Sequence, residues 1–168
     1  MDADSATVGG LPSGRFSGRH AFQQVVRDAL ACAAQEGWRE LLLCDASYED
    51  WPLHEHGVCA SLGDWARSGR RFVMIASTYD VVVRQHARFV AWRKTWGHII
   101  DCRLVRHIDP ADFPSALLAP AWMMQRLDPV HCTGVASERA DRRVQLRETV
   151  DELLLRSGPG FPASVLGL

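Results

Sequence analysis

The sequence predicts a layered α/β domain, with a mostly parallel or mixed sheet of about four to six strands and helices on both of its faces. Three observations predict it. Short apolar runs at residues 41–44, 72–76 and 98–104 have the length of buried strands. Segments with helical spacing stand before and between them, at 19–36, 58–65 and 78–97. Helix and strand therefore alternate, which is the pattern of βαβ units with right-handed crossovers.

Taken in order, residues 1–18 are rich in glycine and serine and lack periodicity, so a flexible tail is expected there and a single domain over 19–168. In 19–36, Phe22, Val26, Ala29 and Ala33 form one helical stripe, and Gly37 is placed to end the helix in a left-handed cap. The first strand, 41–44, ends on Asp45. Val58, Leu62 and Trp65 keep helical spacing up to Gly69, and the second strand follows at 72–76. Ser77 with Asp80 has the spacing of a capping box for a helix over 78–97, in which Val81, Val82, Phe89, Trp92 and Trp96 share an arc of about 100°. The third strand is 99–104. Asp109, Pro110 and Asp112 suggest a short helical turn running to about Ala116, followed by strands at 121–127 and 131–136. Ser137 is placed to cap a last helix that Gly158 and Pro159 stop, and the apolar stretch 161–168 is expected to pack back on the body.

The 168 residues are about the length of one domain. With 47% hydrophobic and 23% charged residues and a formal net charge of −1, the chain is neither disordered by composition nor a generic binder of polyanions. Nucleic acid is thus not an expected partner and would need a local basic patch. The five cysteines, odd in number and set in apolar segments, read as reduced core residues, which points to the cytoplasm. No stretch approaches the roughly 18 to 20 apolar residues that cross a bilayer.

The chemistry-bearing residues concentrate in the helix at 78–97. Arg84, His86, Arg88 and Arg93 can ring an anionic ligand, with Trp92 stacking on it, and Asp45 marks the carboxyl end of a strand, where α/β domains bind ligands. The alternative for the same residues is structural: an aromatic core stripe edged by arginines whose stems cover apolar surface. His54, His56 and Cys59 are spaced as zinc ligands but lack a fourth donor, and Cys44 has no basic neighbour to activate it, so neither a metal nor a cofactor is expected. No G-x-S-x-G, G-x-G-x-x-G or G-x-x-x-x-G-K motif occurs.

Residues 41–104, with Asp45 after the first strand, RRFVMIAS (70–77) as the second, and RQHARFVAWRKTWGHIIDCR (84–103) as helix plus strand, resemble one half of the phospholipase D-like fold, in particular small bacterial domains of that type. Catalytic members carry an H-x-K pair followed by an Asp. Here the only lysine, Lys94, has Trp92 two positions before it, and the closest surrogate, His86 with Arg88, has Arg93 where the Asp would fall. The resemblance therefore implies the fold without the activity, and a lone half implies pairing with a second copy as a homodimer. The expected function is that of a cytoplasmic, non-catalytic binding or interaction domain that self-associates and takes an anionic ligand or a protein partner. The alternative is a divergent phosphodiesterase or other phosphoryl-handling enzyme with His86 as its catalytic residue.

Overall fold

The computed structural model describes residues 10–161. In chain order the elements are β1 (Gly14–Phe16), α1 (Arg19–Glu36), β2 (Glu40–Cys44), α2 (His56–Ala66), β3 (Arg71–Ala76), α3 (Asp80–Gln85), α4 (Ala87–Thr95), β4 (Ile100–Leu104), β5 (Ser115–Leu118), β6 (Met123–Asp128), β7 (Thr133–Ser137), α5 (Ala140–Leu155) and β8 (Gly158–Pro159). One mixed sheet of eight strands has the order β1-β7-β6-β5-β2-β3-β4-β8. Only β2, β3 and β4 run parallel, as the helical crossovers between them require; all other pairings are antiparallel, β5-β6-β7 through short connections and β1-β7, β2-β5 and β4-β8 between segments far apart in the chain.

Successive strand residues point to opposite faces, and this divides the core in two. Leu41, Leu43, Phe72 and Met74 pack under α1, α2 and α4 against Phe22, Val26, Trp65, Phe89 and Trp92. Leu42, Val73, Ile75, Ala116 and Leu118 face the other way, where α5 covers them with Leu146, Val150 and Leu153. Each such fully buried side chain contributes about 1.5–3 kcal/mol. Gly37 caps α1 in the left-handed region, φ 65° and ψ 48°, and its N–H bonds the Ala33 carbonyl.

The sheet is larger than the four to six strands that the sequence predicts. β1 lies within the stretch read as a tail, whose residues 1–9 are outside the described ones, and β5 occupies the end of the segment read as a helical turn. Only Phe161 of the expected apolar tail is described, and it is 7% exposed. The helix expected over 78–97 begins at Asp80, whose N–H donates to Thr78 Oγ1 where Ser77 had been expected to cap, and it breaks at His86. There φ is −117° and ψ is 54°. The break leaves few backbone groups stranded, because the His86 N–H still bonds Val82 O and its carbonyl accepts from Val90 N–H. Among the described residues no helix is long and apolar enough to cross a membrane.

Candidate functional site

Asp45 follows β2 and turns inward. Its Oδ1 lies 2.9 Å from Arg126 Nη2, and its Oδ2 accepts from the N–H groups of Tyr48 and Ser47 at 2.7 and 3.2 Å. Arg126 also donates to Asp50 Oδ2 at 2.8 Å and to Ser115 Oγ at 3.1 Å, and it stacks 4.6 Å from the Phe22 ring. Both carboxylate oxygens of Asp45 thus accept from protein donors. The network ties the loop after β2 to β5 and β6.

The helical candidates diverge. His86 is 1% exposed, with Nε2 2.9 Å from the Tyr48 carbonyl oxygen, Nδ1 buried without a partner, and the ring stacked on His54 at 5.7 Å. Burial holds its pKa below the ordinary histidine value, so the neutral form with a proton on Nε2 suits this position. Arg93 donates to the carbonyls of Phe161 (2.8 Å) and Ile100 (3.4 Å), which fixes the C-terminal segment against β4. Trp92 packs edge-on to Phe72 at 5.0 Å. Arg84 and Arg88 stay exposed, donating to the carbonyls of Asp80 (3.3 Å) and His54 (2.9 Å). No single cleft gathers these residues. The Cys59 thiol bonds the Leu53 carbonyl, and among the described residues no group of three or more His, Cys, Asp or Glu side chains is placed to hold a metal. Cys44 is fully buried, which together with Asp45 pushes its thiol pKa up.

Sequence reasoning missed a groove on the open part of the sheet. α5 covers only the β2, β3 and β5 side of its face of the sheet, leaving β1, β7 and the outer end of β6 open. The resulting groove, of about 530 Å³, is lined by Arg15, Phe16, Leu127, Thr133, Val135 and Arg142 among others. A second hollow, bounded by Gln125, Gln145 and Thr149, shares Arg142 and extends it. Arg15, Val135 and Gln125 are register partners across β1, β7 and β6, so their side chains share the open face. A register shift between Arg126 and Asp128 leaves Leu127 as the bulged residue, 64% exposed in the groove.

Two arginines that line this groove differ from the arginines near them in having no side-chain partner among the described residues, as do Arg106 and Arg156 in a separate hollow of about 320 Å³ beside β4 and β8. Arg139 pairs with Asp141 at 2.7 Å, Arg147 with Glu40 at 2.9 Å, and Arg143 donates to the Pro120 carbonyl. The guanidinium groups of Arg15 and Arg142 make no hydrogen bond or ion pair among the described residues. Arg142 also stands in the first turn of α5, where the helix dipole is positive. No sequence pattern marks β1, so nothing local places Arg15 on an edge strand beside this face.

No protein-family model and no curated protein matches the chain. Its fold is similar to that of TrmBL2. TrmBL2 is an archaeal chromatin protein whose structure shows a novel mode of DNA binding. The TM-score is 0.66 at 14% identity, over 92% of this chain and 56% of TrmBL2, so this chain spans little more than half of TrmBL2's length. Likeness to TrmBL2 corrects two expectations. The resemblance to a phospholipase D-like half gives way to this neighbour, and the homodimer that it implied loses its basis. The expectation against nucleic acid also falls, because the fold is shared with a DNA-binding chromatin protein and neutral net charge is therefore no ground for excluding that class of partner.

Proposed function

We propose that the chain is a non-catalytic binding domain that holds nucleic acid in the groove bounded by Arg15 and Arg142. The observation that carries this reading is the pair of uncompensated guanidinium groups lining one concave surface of ligand size. Phosphates bind such groups through planar, charge-assisted hydrogen bonds and release counterions as they do so. A net charge of −1 does not oppose this, since the potential within a groove is set by the charges that line it. The similarity to TrmBL2 supports the choice of nucleic acid over other anions. The burial of His86 supports the non-catalytic part, because a general base must come within hydrogen-bond reach of its substrate.

Fluorescence anisotropy with labelled DNA across a salt series tests the reading. Affinity is expected to fall linearly on logarithmic axes as salt rises, and Arg15→Ala and Arg142→Ala are each expected to lower the slope by about one. Undetectable or salt-independent binding overturns it.

A further inference from the structure

We infer that the groove takes a single nucleic-acid strand, its bases over the sheet and its phosphates at the arginines, in preference to the backbone ridge of a duplex. This rests on the reading above and goes further in naming the form of the ligand.

Width comes first. Arg15, Val135 and Gln125 are direct partners on three neighbouring strands. At about 4.8 Å between strands, the floor from the Arg15 backbone to the Gln125 backbone is about 10 Å wide. The major groove of B-DNA alone is about 12 Å wide, so a floor of about 10 Å that ends at the free edge of β1 matches the width of one strand better than that of a duplex. A single strand is narrow enough to lie in the groove.

The chemistry of the floor points the same way. Leu127 is 64% exposed on the bulge and Val135 lies beside Arg15, so the floor between the arginines is in good part apolar. A phosphate ridge pressed there would lose water without gaining a polar partner, which is unfavourable. The face of an unstacked base covers such surface with gain, and it does so for any base because each has an apolar face. The Gln125 amide and the Thr133 hydroxyl make no hydrogen bonds of their own among the described residues, and they lie within the connected hollows as donors and acceptors for base edges. Free arginines beside an apolar floor with polar groups at its margin suit a strand that offers phosphates and bases together.

The test compares fluorescein-labelled oligothymidylate with a mixed-sequence duplex carrying the same number of phosphates, using the full chain and two variants. Oligothymidylate is expected to bind about tenfold more tightly than the duplex. Leu127→Ala, at a position 64% exposed where truncation is expected to cost little stability, is expected to weaken oligothymidylate severalfold and leave the duplex unchanged. Arg142→Ala is expected to weaken both. Duplex affinity equal to or above that for oligothymidylate, with Arg142→Ala still weakening it, overturns the single-strand inference and leaves the nucleic-acid reading standing. Equal competition by polyglutamate likewise overturns the inference, since the groove is then a general polyanion site. Absence of binding to either DNA removes the nucleic-acid reading and the inference with it.

Discussion

The Arg126 guanidinium lies 2.9 Å from the Asp45 carboxylate, and both side chains are almost wholly buried, at 4% and 6% exposure. The pair joins the loop after β2 to a strand that lies 81 positions later in the chain, and Arg126 sits between the two groove residues Gln125 and Leu127. A buried pair of this kind is not itself a large source of stability, because desolvation offsets most of the attraction; breaking it from one side is what costs.

Arg126→Met is therefore expected to lose about 3–5 kcal/mol in chemical denaturation, since Asp45 is left charged and unpaired in the interior. Asp45→Asn removes the charge while keeping an oxygen for the Tyr48 N–H. The double variant is expected to lose less than the sum of the two single losses, with a coupling of about 1–3 kcal/mol. Strict additivity would show that the two residues do not act as a pair. Asp50, 27% exposed and approached by Arg19 at 3.5 Å, retains water and a second cation, so its replacement is expected to matter less.

His86 makes folding sensitive to acid. Its pKa in the folded chain is lowered by burial, so the unfolded chain takes up the proton first as pH falls below about 6.5. The stability that neutral His86 contributes is thus present above that value and drains away below it, until the folded-state pKa is reached. One proton corresponds to a slope of at most about 1.4 kcal/mol per pH unit. His86→Gln keeps a donor for the Tyr48 carbonyl and cannot titrate, so its stability between pH 7 and 5 is expected to decline less steeply than that of the natural chain. Identical slopes would count against the burial argument.

The elements that the sequence predicts correctly are those whose pattern is local. Residues 19–36 carry a continuous apolar stripe with glycine behind it, and α1 has those bounds. β2 and β3 are apolar runs bounded by polar residues, and β4 alternates apolar Ile100, Cys102 and Leu104 with charged Asp101 and Arg103. β1 carries no such pattern: it is three residues including a glycine, and it exists because Phe16 reaches over Gly134 toward Phe22, with ring centroids 6.2 Å apart. β5 is a strand because Leu42 and Leu118 pair across to β2, more than seventy positions away. The candidate site follows the same division. Asp45, His86 and Arg93 are legible as residue types of interest, but their inward direction is set by Arg126, Tyr48 and Phe161, partners whose proximity no local spacing reveals. The groove was illegible for a related reason, because it is a space left uncovered by α5 and is encoded by no run of residues.

Gly37 ends α1 at a φ of 65°, a region costing other residues roughly 1–2 kcal/mol. Space is not the limit, since an added Cβ would meet only Ser68 Oγ, at 3.7 Å. Gly37→Ala is thus expected to lower stability by about 1 kcal/mol and Gly37→Asn by less, because asparagine tolerates the left-handed region better. Equal losses for the two would place the cause in packing.

Gly134 is constrained by space. A Cβ there would collide with the Gln125 carbonyl oxygen and come within 2.6 Å of Phe16 Cζ and 2.8 Å of Arg126 Cα. Phe16 could turn aside, since β1 is a short edge strand, but the Gln125 and Arg126 contacts are backbone and lie next to the bulge that aims Leu127 into the groove. Relief must therefore come from separating β6 and β7 or from shedding β1. Gly134→Ala is expected to cost about 1–3 kcal/mol, the usual range for overpacking. It is also expected to speed amide hydrogen exchange at the paired N–H groups of β1 and β7 while leaving those of β2 and β3 protected, because local opening needs less free energy than global unfolding. A uniform rise in exchange across the sheet would mean that the strain spreads through the whole domain, and that the groove end is no less stable than the parallel core.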